Sequence, residues 1–161
     1  MKGPLSKVVV LAEGLYSSAS PVKYAVALAA RYGTEVIAVY AVDTAAIRKL
    51  ASSKIFVAEE SEEYERSLEE TGRRRLAFAH ELGKAKGVEL ETLLLKGGIA
   101  GEVVRVAEER EADCILLGGW EHNGDFHDIL LEASREIADL ASCSVLLVKS
   151  KDAEKAYNAI G

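Results

Sequence analysis

Residues 118–134 read GGWEHNGDFHDILLEAS and concentrate the chemically capable side chains of this chain. Two of the three histidines, His122 and His127, lie there with Glu121, Asp125, Asp128 and Glu132. Imidazoles and carboxylates together can ligate a divalent metal. The two histidines are five apart across an expected loop-to-helix boundary, whereas a zinc helix places them at i and i+4. His122 and His127 are therefore weak ligand candidates, and an exposed polar loop is the preferred reading. The same stretch also has a phosphate-binding look, because a short apolar run leads through Gly118 and Gly119 toward a helix. Yet residues 118–134 contain no lysine or arginine.

Other chemistries find less support. Ser17, Ser18 and Ser20 follow the first apolar run and could face a flavin phosphate, but Ser20 is equally an N-cap and few aromatics are available to stack a flavin. A phosphoacceptor domain of the same fold class needs an aspartate at the end of the third strand, where this chain has Lys96. No Ser, Cys or Thr has an identifiable base and orienting partner. His80 and Glu81 read as a solvated helix face. No catalytic residue is assigned, and nothing in the sequence demands an enzyme.

The elements that would position these residues follow from the apolar pattern. Five short apolar runs read as strands: KVVVLA from Lys7, EVIAVYAV from Glu35, VELETLLLK from Val88, DCILLGG from Asp113 and SVLLVK from Ser144. Most are continuously apolar, as strands covered on both faces of a parallel sheet are. The first helix has Ser20 as N-cap, Pro21 as first residue and Gly33 at its end, with Val22, Val26, Ala29 and Ala30 on one face. Residues 44–58 read as irregular. A long helix follows from Ser61, with Leu68, Gly72, Leu76, Ala79 and Leu82 in register. Gly72 costs about 1 kcal/mol inside a helix, which points to a close contact there. The remaining helices are expected from Ala100 and from Phe126 to about Ala141. This βαβαβαβαβ succession implies a doubly wound α/β fold with one five-stranded parallel sheet, strand order 3-2-1-4-5 and helices on both faces. Its crevice lies between the carboxyl ends of strands 1 and 4. Residues 1–161 are expected to form a single domain with its core at about 5–149, and 150–161 a frayed tail or short helix.

Composition narrows the partners. A formal charge of −6 opposes general binding to nucleic acid or to an anionic membrane. The one basic cluster, GRRRLAF, sits in a helical pattern with Glu on both sides. Cys114 and Cys143 fall at apolar runs and read as buried thiols rather than a disulfide framework. No segment is long and apolar enough to span a membrane, and the N-terminal residues do not read as a signal peptide. A cytoplasmic location is expected. Glutamine is absent and asparagine occurs only at Asn123 and Asn158, a hint of a thermophilic source.

Over about residues 5–149 the chain resembles the universal stress protein family. VVVLAEG is similar to its first strand and loop, KGGIAGEVVRVAEEREADCILLGG to its third strand, helix and fourth strand, and ILLEASREIADLASCSVLLVK to its closing helix and strand. Nucleotide-binding members carry Gly-x2-Gly-x9-Gly-[Ser/Thr] after strand 4. With Gly119 first, the second glycine falls on His122 and the final pair on Glu132 and Ala133. With Gly118 first, Glu121 takes the second glycine and Ala133 and Ser134 the final pair. The resemblance thus implies a crevice of Glu13, Gly14, Val42, Gly118, Gly119, His122, Gly124, Ala133 and Ser134, with His122 and Glu132 breaking the motif. Glu13 stands where the family commonly has an aspartate contacting the nucleoside, and it could equally cap backbone N–H groups. A carboxylate about 4 Å from a phosphate charge is repelled by about 1 kcal/mol in water and about 4 at an intermediate dielectric. Weak ATP binding or none is therefore expected, with no cofactor; the alternative is a regulatory switch binding ATP or AMP with Mg²⁺, with slow hydrolysis open.

Strands 3 and 5 are the sheet edges in this order. Glu89 and Glu91 protect strand 3, whereas strand 5 is apolar up to Lys149 and must be covered by the tail or by a second copy. The resemblance implies the second, a homodimer through Val145, Leu146, Leu147 and Val148. Further protein partners are unspecified.

Overall fold

The computed structural model describes residues 3–12, 20–54, 56–118 and 127–161. Five parallel strands form one sheet in the order β3-β2-β1-β4-β5: β1 Lys7–Leu11, β2 Glu35–Asp43, β3 Glu91–Gly97, β4 Cys114–Leu117 and β5 Ser144–Leu147. The helices are α1 Ser20–Tyr32, α2 Thr44–Ser52, α3 Ala58–Lys84, α4 Ile99–Glu109, α5 His127–Leu140 and α6 Ser150–Asn158.

Why the central strands are apolar at every position is plain from the two cores. Val8 and Val10 of β1, Ala38 and Tyr40 of β2 and Leu116 of β4 face a core shared with α1, α3 and α6. Val9, Leu11, Ile37, Val39, Ile115 and Leu117 face the opposite core, shared with α4 and α5. Side chains alternate across a strand, so burial on both faces leaves no polar position.

Several boundaries depart from the sequence reading. Residues 44–52, expected to be irregular, form α2, started by Asp43, whose Oδ1 accepts from the Ala46 N–H at 3.0 Å. β3 begins at Glu91, so Glu89 lies before the strand and guards no edge. Ala30 is exposed, and Ala25 instead joins Val22 and Val26 on the buried face of α1. Gly33 ends α1 with φ +71°, the left-handed geometry that favours glycine.

Gly72 is explained by the contact expected of it. A Cβ there would stand 2.6 Å from Tyr40 Cδ1 and 2.7 Å from Leu94 Cδ1, so α3 lies directly on β2 and β3. Gly72→Ala gains helix propensity but overpacks this seam, and we expect a net loss of about 1–2 kcal/mol. Urea denaturation checks this; an unchanged or raised midpoint would show that the seam yields freely.

At the amino end of the sheet, polar groups tie four strands together. The Arg110 guanidinium donates to both Glu91 carboxylate oxygens at 2.8 and 2.6 Å. Lys7 Nζ donates to the Arg110 carbonyl and sits 3.2 Å from Glu35, while the Lys7 N–H donates to Asp113 Oδ2. The hydrogen bonds from Arg110 hold the Glu91 carboxyl below the usual carboxylate range, against a smaller opposing push from burial. A depressed folded-state pKa contributes stability that is present above the unfolded value, about 4.3, and lost as pH falls through the folded one. Arg110→Ala should therefore lower the urea midpoint slightly at pH 7, with the difference vanishing in acid below that range. A difference constant between pH 7 and pH 3 would refute this assignment.

Candidate functional site

The crevice is framed by the carboxyl ends of the strands, where the winding reverses between β1 and β4. At the β1 end, Ala12 is buried and its N–H donates to the Val39 carbonyl at 2.8 Å. At the β4 end, the Leu117 carbonyl accepts from the Val148 N–H at 2.7 Å, which fixes the exit of β5 beside that of β4. Between them stands the first turn of α1. A Cβ at Gly118 would lie 2.9 Å from Pro21 Cδ and 3.2 Å from Pro21 Cγ, so only a glycine lets strand and helix start approach this closely. Ser20, 5% exposed, donates from Oγ to Ser150 Oγ at 3.1 Å. The far rim is Asp43, engaged as the α2 cap, and Gly97, whose φ of +146° lets β3 turn into α4 against Glu102.

The candidate residues divide into three sets. Gly118 lies at the crevice. Val42 is fully buried in the core under α1 and α3, so it has only backbone to offer a ligand. On α5, Ala133 and Ser134 are buried at 8% and 4%, while Glu132 is exposed. Glu13, Gly14, Gly119, His122 and Gly124 lie outside the described residues, as do Ser17, Ser18, Trp120, Glu121 and Asp125, and the side chains of His127 and Asp128. The register that begins at Gly118 is thus the one whose final pair turns inward.

The start of α5 is the feature that most affects the chemistry. The first four N–H groups of a helix have no carbonyl within it and can hold an anion. α5 begins at His127, so among the described residues those groups belong to residues 127–129. Glu132, Ala133 and Ser134 come after that turn, and their N–H groups fall within the helical hydrogen-bond ladder. On the edge strand β3, the Lys96 ammonium is paired with Glu69 and Glu65 of α3. Its hydrogen bond holds the Glu69 carboxyl below the ordinary carboxylate range and raises the Lys96 ammonium.

The cysteines take no part. Both are free, and they belong to opposite faces: Cys114 to the α1–α3 core and Cys143 to the α4–α5 core. Burial pushes both thiols up, away from the thiolate a nucleophile needs. A cavity of about 200 Å³ beside Cys143 lies at the amino end of the sheet, opposite the crevice.

Sequence reasoning missed three residues that shape the site: Pro21, Asp43 and Ser150. A proline opening a helix opposite a glycine at a strand end was a usable signal for the first. An aspartate three residues before the Ala46 N–H was one for the second. Nothing in the sequence pointed to Ser150, because its partner lies 130 residues away.

A parallel five-stranded sheet with this order, whose winding reverses between β1 and β4, places the protein among doubly wound α/β proteins. Within that class the chain belongs to the universal stress protein family, whose model matches residues 4–149. It is 30% identical over 148 residues to universal stress protein MJ0531 of Methanocaldococcus jannaschii, covering 92% of this chain and 84% of that one. Among solved structures it is similar to hypothetical protein MJ0577, with a TM-score of 0.73 and 19% identity over 91% of this chain and 97% of that one. It is also similar to a universal stress protein in complex with cAMP, with a TM-score of 0.62 and 21% identity over 91% and 98%. At such identities the two structures show a shared fold.

Proposed function

We propose that this chain is a regulatory or stress-tolerance factor acting by binding rather than by turnover, with a crevice that holds adenine nucleotides weakly or not at all. The observation that carries the reading is the position of α5. In either register the final pair of the nucleotide motif falls at residues 132–134, inside a helix that begins at His127. Backbone N–H groups already used within the helix cannot also bind a phosphate. The exposed side chain of Glu132 adds a carboxylate on the same turn.

A second reading keeps the crevice as an ATP or AMP switch using Mg²⁺. It is favoured by the burial of Ser134 in the register from Gly118, and by the cAMP held by one structural neighbour. Calorimetry with ATP and with AMP, each with and without Mg²⁺, separates the two on the wild type and on Glu132→Gly. The first reading expects no heat from the wild type up to millimolar nucleotide, whereas micromolar binding would replace it with the switch.

The working unit in this proposal is a homodimer joined through β5, in a protein whose residues 1–161 form one domain and which resides in the cytoplasm. The free thiols support that location. The edge of β5 supports the dimer. Val145 and Leu146 are half-buried and Leu147 is 42% exposed, an apolar edge of the kind that pairs with another chain. Val148, expected to be part of that edge, is 5% exposed and belongs to the core of its own chain. Among the described residues the tail packs along α1 as α6, which favours a second copy as the cover for β5. Sedimentation at micromolar concentration should give a dimer for the wild type and a monomer for Leu147→Lys; a monomeric wild type would contradict the proposal.

A further inference from the structure

We infer that α6 is a strap that holds the first turn of α1 against the crevice, so that undocking α6 loosens that wall. The helix lies beyond residues 4–149, the segment that the family model matches. It is fastened at both ends. At its start, Ser150 Oγ accepts from Ser20 Oγ at 3.1 Å. Near its end, buried Tyr157 donates from its hydroxyl to the Leu82 carbonyl at 2.8 Å. Two ammonium groups lie over the ring of Tyr157, Lys23 Nζ at 5.5 Å and Lys86 Nζ at 4.8 Å from its centroid. Lys86 Nζ also donates to the Ile160 carbonyl at 3.1 Å, and Lys23 pairs with Glu154.

The path to the crevice is short and contiguous. Ser150 touches Ser20, Pro21 follows Ser20, and Pro21 fills the space that a side chain at Gly118 would occupy. The first turn of α1 is therefore clamped between the end of β4 and the start of α6. Removing one jaw leaves the Ser20 hydroxyl, 5% exposed, without this partner and frees the turn to move.

Its docking is also built to be reversible. Within the helix, only Ala153 and Tyr157 are buried. An open groove of about 340 Å³, lined in part by Tyr24, Arg31, Tyr32 and Lys155, runs beside the seam with α1, so solvent already reaches part of it. A helix of nine residues does not persist alone in water, so undocking and unfolding of α6 are one event. That event provides the two-state element that transmission to the crevice requires.

The test is hydrogen–deuterium exchange by mass spectrometry on the full chain without nucleotide, comparing the wild type, Tyr157→Phe and Tyr157→Ala. The first variant removes only the hydroxyl, so it remains informative if the second fails to fold. The expected result is faster exchange over residues 150–158, accompanied by a rise over residues 20–28, about tenfold or more in the stronger variant, while 35–43 and 91–97 keep wild-type rates. Fast exchange confined to 150–158 would overturn the inference, as would a uniform rise across the chain. Because no nucleotide is present, the result is independent of whether the crevice binds one.

Discussion

The structure depends first on burying β1 on both faces. Val8, Val9 and Val10 are fully inaccessible, and a strand so placed requires paired neighbours and a helical layer above and below. Right-handed crossovers between parallel strands then leave few ways to wind the chain. One βα succession runs outward from β1 to β2 and β3, and the other runs from β4 to β5. The crevice is the consequence of that reversal. Among the described residues its walls are strand ends and helix starts.

The central sheet was legible because its signal is redundant. Strands β1, β2 and β4 are apolar at nearly every position, and no amphipathic alternative fits such runs. The strand order followed from the alternation of strands and helices, and the seam at Gly72 from the cost of a glycine inside a helix. Legibility failed where the signal was local and weak. In α2 only Ile47 is buried, so its apolar pattern was thin, and the capping role of Asp43 is a single hydrogen bond. The start of β3 was placed early because Val88 and Leu90 are apolar like the strand itself. Leu90 is nonetheless core, buried under α3 ahead of the ladder.

The site was legible in position more than in chemistry. Gly118 was singled out as a crevice residue, and what a Cβ there would meet first among the described residues is Pro21. Ser134 was singled out as the end of the motif's final pair, yet it sits beyond the first turn of α5. Both residues serve packing as well as any ligand. In the proposed reading, the last positions of the family motif are spent inside α5, where their N–H groups belong to the helical ladder. Motif matching counts residues and does not register where a helix begins.

The account rests on α5 running unbroken from His127 through Ser134, so the most direct measurement is NMR amide hydrogen exchange at Ala133 and Ser134, with Mg²⁺-ATP and without. The expected result is slow exchange at both residues in the free protein, unchanged by millimolar nucleotide. Fast exchange in the free protein that becomes slow with ATP would mean that these N–H groups are open and bind phosphate, and the account would be wrong.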